Sequence, residues 1–215
     1  VNTYVSQNLG AARPWRCGEY ARAGIVLAWA GALLALPLLL VARPVFATLN
    51  QPIELQPYQA MYFRYMVVAI LPAQTAVCLE RFFYGVHRPM VVLAGSVIGN
   101  GVNVFANWVL IFGHFGLPAL GLEGAAIGTI IGICVQLAWL SAVFLGPRMH
   151  ARFATRGLKI RLQQCWDIVR VGWPAGVQFT SDLLSWGVVM GWLIGGFGVD
   201  HMAGHTAAIR FMSMS

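Results

Sequence analysis

Long runs without a charged residue recur along this chain. Ala23 to Ala42 carries none, and neither does Ala125 to Pro147. Pro89 to Leu122 carries none apart from the titratable His114. Each run is near or above the roughly 20 residues an α-helix needs to cross bilayer hydrocarbon. Every backbone N–H and C=O must be satisfied without water there, so a spanning helix is the structure such a run can take. A further run, Tyr58 to Leu79, is interrupted by Arg64, with Tyr58, Tyr62 and Tyr65 around it. That pattern fits an aromatic belt with a snorkelling side chain. Together with a last run from about Gly172 to Gly198, these predict five complete helices, over about 23–43, 58–80, 90–112, 122–145 and 171–197.

The composition agrees. Hydrophobic residues make up 59% of the chain and charged residues 10%, with a mean hydropathy of +0.70. A soluble domain carries about 25% charged residues. The expected fold class is therefore all-α integral membrane, a polytopic helix bundle. Val1 to Leu9 reads as the tail of an earlier helix, and Ala203 to Ser215 as the start of a later one. The chain opens at Val1 without a methionine and stops inside an apolar pattern, so it is expected to be a piece of a longer protein.

The net charge of +7 is a topology signal, with no pattern that points to nucleic acid. Arg13, Arg16 and Arg22 fall in one predicted loop, and Arg81 and Arg88 in a second. Arg148, Arg152, Arg156, Lys159, Arg161 and Arg170 fall in a third. The alternate loops hold only Arg43, a tally of eleven against one, with Arg64 and Arg210 inside helices. Such asymmetry places the basic loops in the cytoplasm. The longest of them, Gly146 to Val171, is the expected boundary between two bundles. The four cysteines, Cys17, Cys78, Cys134 and Cys165, fall at no metal-ligand spacing and read as small packing residues.

Small residues set the helix contacts. Gly124, Gly128 and Gly132 recur every four residues, as do Gly187, Gly191 and Gly195, with Gly95 and Gly99 a shorter version. This spacing lets helix backbones approach closely in lipid. Pro37 and Pro72 fall inside predicted helices, where each removes a backbone hydrogen bond. Pro174 is expected early in its helix, where proline is tolerated.

Polar residues inside the spans carry the functional signal. Asp182 is the only charged residue in the 29 residues from Val171 to Val199. A carboxylate in hydrocarbon costs at least about 2.5 kcal/mol, so such a residue is expected to face a cavity, a partner or a transported ion. It lies eight residues past Pro174, about 12 Å along a helix, and shares a stripe with Gln178 and Ser185. The alternative is a static ion pair with Arg64 or Arg210. A second stripe holds Ser96, Asn100, Asn103 and Asn107, spaced four, three and four. Its amides suit interhelical hydrogen bonding or a neutral oxygen site for a cation. His201 and His205, one turn apart, could begin a zinc site, but no third ligand stands near.

The segments Val5–Ala11, Asn103–Trp108, Gly121–Ala126, Gly172–Gln178 and Ala203–Ala208 resemble the multidrug and toxic compound extrusion (MATE) family of transporters. Val5-Ser6-Gln7-Asn8-Leu9-Gly10-Ala11 is similar to the end of that family's second helix. Asn103-Val104-Phe105-Ala106-Asn107-Trp108 resembles the fifth, and Gly121-Leu122-Glu123-Gly124-Ala125-Ala126 the start of the sixth. Gly172-Trp173-Pro174-Ala175-Gly176-Val177-Gln178 with Asp182 resembles the seventh, and Ala203-Gly204-His205-Thr206-Ala207-Ala208 the eighth.

The resemblance implies part of a two-lobe, twelve-helix transporter. It divides the chain into a partial N-terminal lobe (1–147), a cytoplasmic basic linker (148–170) and the start of a C-terminal lobe (171–215). It also implies a monomeric antiporter in the bacterial inner membrane, exporting organic cations against H⁺ or Na⁺, with no resident cofactor or metal. In the NorM-like branch an acidic residue on the seventh helix serves coupling, and Asp182 takes its place, where glutamate is common. Asn103 and Asn107 match the branch's fifth-helix asparagines, which the resemblance implies either bind a first-lobe cation directly or support its ligands, and Thr129 falls where it could line the same site. Arg210 departs from the family pattern. The implied candidate cation- and substrate-binding residues are Asp182, Gln178, Asn103, Asn107, Asn100 and Thr129. Two other readings are a lipid-linked oligosaccharide flippase of the same superfamily and an intramembrane metal-dependent enzyme using His201 and His205.

Overall fold

A computed structural model of the chain describes residues 1–40, 56–157 and 161–188. The chain divides into two compact units, Val1–Ile168 and Val169–Ser215. Seven α-helices lie in the described residues, and no strand does. They are α1 (Asn2–Gly10), α2 (Pro14–Ala35), α3 (Gln56–Gly85), α4 (Pro89–Phe112), α5 (Leu122–Phe144), α6 (Pro147–Phe153) and α7 (Leu162–Val188).

Four helical segments are long and apolar enough to cross a membrane: Pro14–Leu40, Gln56–Gly85, Pro89–Phe112 and Leu122–Phe144. These answer to the first four expected spans. The fifth expected span, 171–197, is described only as far as Val188.

Two helix starts differ from the sequence reading. α2 begins at Pro14 rather than near residue 23, so Arg16 and Arg22 lie on a helix and not in a loop. Pro14 at the first helical position supplies a preset φ, and it has no N–H to leave unpaired there. Arg22 donates to the Ala154 carbonyl at 2.6 Å, and Gln164 donates to Glu19 at 2.5 Å, so this charged first stretch has partners. Likewise α7 starts at Leu162, not 171, because Gln164 is buried and Asp167 accepts from Tyr20 at 3.1 Å. Pro174 therefore lies inside its helix, not early in it. Arg81 too sits on a helix, within α3.

Prolines and glycine shape the ends. α2 stops at Ala35, and Leu36 and Pro37 form a turn before helical residues resume. Pro72 lies inside α3, which continues through it. Gly113 ends α4 in the left-handed region, φ 73°, which costs a glycine little. The loop after it folds back, with the Leu120 and Gly121 amides donating to the Leu110 and Ile111 carbonyls.

The tightest core lies at the basic end of the bundle. Phe82 is fully buried and meets Phe83, Phe144 and Phe153 edge-on, at centroid distances of 5.4, 5.0 and 5.7 Å. Edge-to-face contact suits the aromatic quadrupole. Val5 of α1, Cys17 of α2 and Met149 of α6 join the same cluster. α6 closes this end against α2: a Cβ at Gly18 would overlap the Phe153 carbonyl oxygen. The cysteines of the described residues are all free, with Cys17 and Cys78 buried.

Candidate functional site

The most extensive helix contact among the described residues is between α4 and α5, and small residues create it. A Cβ at Gly124 would lie 2.7 Å from the Leu110 carbonyl carbon and oxygen. A Cβ at Gly132 would lie 2.7 Å from Asn103 Cβ and 2.9 Å from the Gly99 oxygen. At Gly128 it would overlap Asn107 Oδ1. So the glycine stripe of α5 receives the asparagine stripe of α4, and the polar side chains occupy room that the missing side chains leave.

Within this contact Asn107 Nδ2 donates to Asn103 Oδ1 at 3.3 Å. Asn107 Oδ1 is buried and has no hydrogen-bond partner among the described residues. An unsatisfied buried acceptor costs about 1–3 kcal/mol. Thr129, the residue after Gly128, spends its hydroxyl proton on the Ala125 carbonyl at 2.9 Å, which leaves oxygen lone pairs. The remaining member of the stripe, Asn100, is exposed and donates to the Ser96 carbonyl of its own helix at 2.9 Å. It does not join Asn103 and Asn107 at the α5 face.

In the second unit, Gln178, Asp182 and Ser185 lie on α7 and are all exposed. Their spacing puts them on one stripe of that helix. His201, His205 and Arg210 lie outside the described residues. Among the described residues no group of three or more His, Cys, Asp or Glu side chains could hold a metal.

Several polar pairs in the first unit were not singled out in the sequence. Gln136 of α5 donates to Glu80 of α3 at 2.7 Å and to the Ser96 hydroxyl of α4 at 3.3 Å. The signal was present: Gln136 is the one amide in the charge-free run from Ala125 to Pro147. Near the other end of α3 and α5, Tyr65 donates to Glu123 at 2.5 Å. Arg64 beside it is exposed and lines an open cleft of about 370 Å³ with Pro57, Met61 and Tyr65. At the basic end the stacked rings of Tyr4 and Tyr20 both bond to Asp167, one to its carbonyl and one to its carboxylate.

The family model described as MatE matches residues 1–109, which hold α1 to α3 and most of α4 with its three asparagines. The chain belongs to the MatE family. It is a multi-pass helical membrane protein, as the resemblance in sequence implied. Among curated proteins it is 28% identical to a probable multidrug resistance protein NorM of Burkholderia mallei, over 100% of this chain and 46% of that one. It is 30% identical to a protein of the same name from Rhizobium meliloti, over 85% and 39%. With the multidrug resistance protein NorM of Burkholderia vietnamiensis it shares 27% identity over 100% and 46%. The chain thus spans less than half the length of the curated relatives it matches.

Proposed function

We propose that this MatE chain is part of a secondary antiporter that exports organic cations and related drugs in exchange for inward H⁺ or Na⁺. The reading places the full-length protein in a bacterial inner membrane, working as a monomer. It rests on the bacterial multidrug-resistance names of the relatives and on one observation above the rest. That observation is Asn107 Oδ1, a buried oxygen without a partner at a contact only glycine at 128 permits.

A neutral amide oxygen in a dry site is a hard ligand for an alkali cation. In this proposal Asn107 and Asn103 give amide oxygens to the coupling ion, and Thr129 adds a hydroxyl oxygen. Asn100 stays at the edge of the stripe as a polar step to that site. Asp182, with Gln178 on its stripe, is the carboxylate that exchanges ion for substrate in the other unit. Coupling then needs only that ion and drug each bind one of two opposite-facing states better than the other.

The experiment is efflux of a fluorescent organic cation from vesicles holding the full-length protein under an imposed H⁺ or Na⁺ gradient. Asp182→Asn keeps size and polarity but removes the charge. Ion-driven efflux is expected to fall at least tenfold. Efflux at the wild-type rate removes Asp182 from coupling.

A further inference from the structure

Glu80 lies on a helix long and apolar enough to span the membrane, and the proposed antiport does not use it. Three helices converge on it. Gln136 Nε2 commits both hydrogens, one to Glu80 Oε1 at 2.7 Å and one to Ser96 Oγ at 3.3 Å. No hydrogen bond among the described residues engages Glu80 Oε2 or Gln136 Oε1. The free oxygens of a carboxylate, an amide and a hydroxyl therefore come from α3, α5 and α4. The charged group acting on Glu80 is Arg81, its chain neighbour. Among the described residues α2 meets α3 through Cys78 and Thr75, and α1 meets it at Gly85.

The depth of this cluster is informative. Glu80 is five residues from the end of α3, Ser96 seven from the start of α4 and Gln136 eight from the end of α5. At 1.5 Å per residue these are about 7, 10 and 12 Å from the basic end of the bundle. Asn103 and Asn107 lie fourteen and eighteen residues along α4, about 21 and 27 Å from that end. Asn100 stands between, tied to the lower cluster by its bond to the Ser96 carbonyl. One bundle thus holds two oxygen clusters at two depths, with the Asn100 side chain between them.

We infer that Glu80, with Gln136 and Ser96, is a second cation site, which takes the coupling ion from Asn103 and Asn107 and releases it at the basic end. This inference rests on the antiport reading, and it deepens it by naming the exit. A carboxylate suits that task because it binds either H⁺ or Na⁺, whereas an amide oxygen binds only the metal ion well. Gln136 is a positioning residue that fixes the carboxylate rotamer.

The test uses the full-length protein in proteoliposomes with ethidium as substrate. Glu80→Gln is expected to lower gradient-driven uptake at least tenfold and to flatten its dependence on pH or Na⁺ in the compartment facing the basic end. Ethidium counterflow, which needs no net ion movement, should stay within twofold of wild type. Glu80→Asp should restore driven uptake to within threefold. Driven uptake unchanged in Glu80→Gln overturns the inference, and so does an equal loss of counterflow, which marks a merely structural contact. A wild-type protein with no ion-driven uptake at all instead overturns the antiport reading. Should Glu80→Gln not fold, the wild type decides. A hydrophobic carbodiimide, which attacks protonated carboxyls in apolar surroundings, is expected to modify Glu80 and to be blocked by high pH or Na⁺. No modification of Glu80 at any pH overturns the inference.

Discussion

Adding one methyl at Gly124 tests the α4–α5 contact on which the candidate site depends. A Cβ there would lie 2.7 Å from the Leu110 carbonyl carbon and oxygen and 3.0 Å from the Ile111 nitrogen. Carbon atoms prefer separations of about 3.5–4.0 Å. The neighbours are backbone atoms, so no side chain can swing aside and the helices must part. Overpacking of this kind costs about 1–3 kcal/mol. Alanine also gains about 1 kcal/mol over glycine in a helix interior, which works the other way. Gly101→Ala separates the two effects, since it adds the same methyl on α4 with nothing within 4 Å. The two variants are then expected to differ by the overpacking cost alone. The shift is about 2–4 °C per kcal/mol for 150–250 residues and smaller for a longer chain, so a gap of a few degrees is expected in the full-length protein. Thermal melts of purified full-length protein in detergent measure it. Gly101→Ala should melt at or above wild type and Gly124→Ala below it. Equal melting temperatures for the two would refute the close approach of α4 and α5.

Three further outcomes follow from the same geometry. Phe82→Ala empties the centre of the aromatic cluster and is expected to cost about 3–5 kcal/mol, read as a lowered melt and reduced yield of folded protein. Tyr20→Phe removes the bond to the Asp167 carboxylate while keeping the stack on Tyr4. A loss of about 1–2 kcal/mol is expected in the same melt, with gradient-driven transport retained. Asn107→Leu removes a buried acceptor that lacks a partner at the loss of one long bond to Asn103 Oδ1, so its melting temperature should stay close to wild type while ion-driven transport fails. A lower melting temperature with normal transport would show that Asn107 serves packing alone.

The spans were legible where the chain is apolar all round. The runs behind α4 and α5 predict helices over 90–112 and 122–145, and these form from Pro89 to Phe112 and from Leu122 to Phe144. The starts of α2 and α7 were not legible, because their first turns are charged. Arg22, Glu19, Gln164 and Asp167 look like loop residues until their partners from distant parts of the chain are in place. The asparagine stripe was legible in part. Successive helix residues are about 100° apart, and the face α4 buries runs through Val92, Gly95, Gly99 and Ala106. Asn100, next to Gly99, is turned to the edge of that face, while Asn103 stays on it and Asn107 reaches Gly128. Glu80 was hidden for a different reason. Beside Arg81 at the end of an apolar run it reads as an interfacial charge, and only the fold brings Gln136 and Ser96 to it.

The central claim is that a coupling cation binds at Asn103 and Asn107. The most direct measurement is ²²Na⁺ equilibrium binding to purified full-length protein. At least one ion is expected to bind the wild type, and Asn107→Leu is expected to weaken that binding at least tenfold. Wild-type ion affinity in Asn107→Leu would contradict the account.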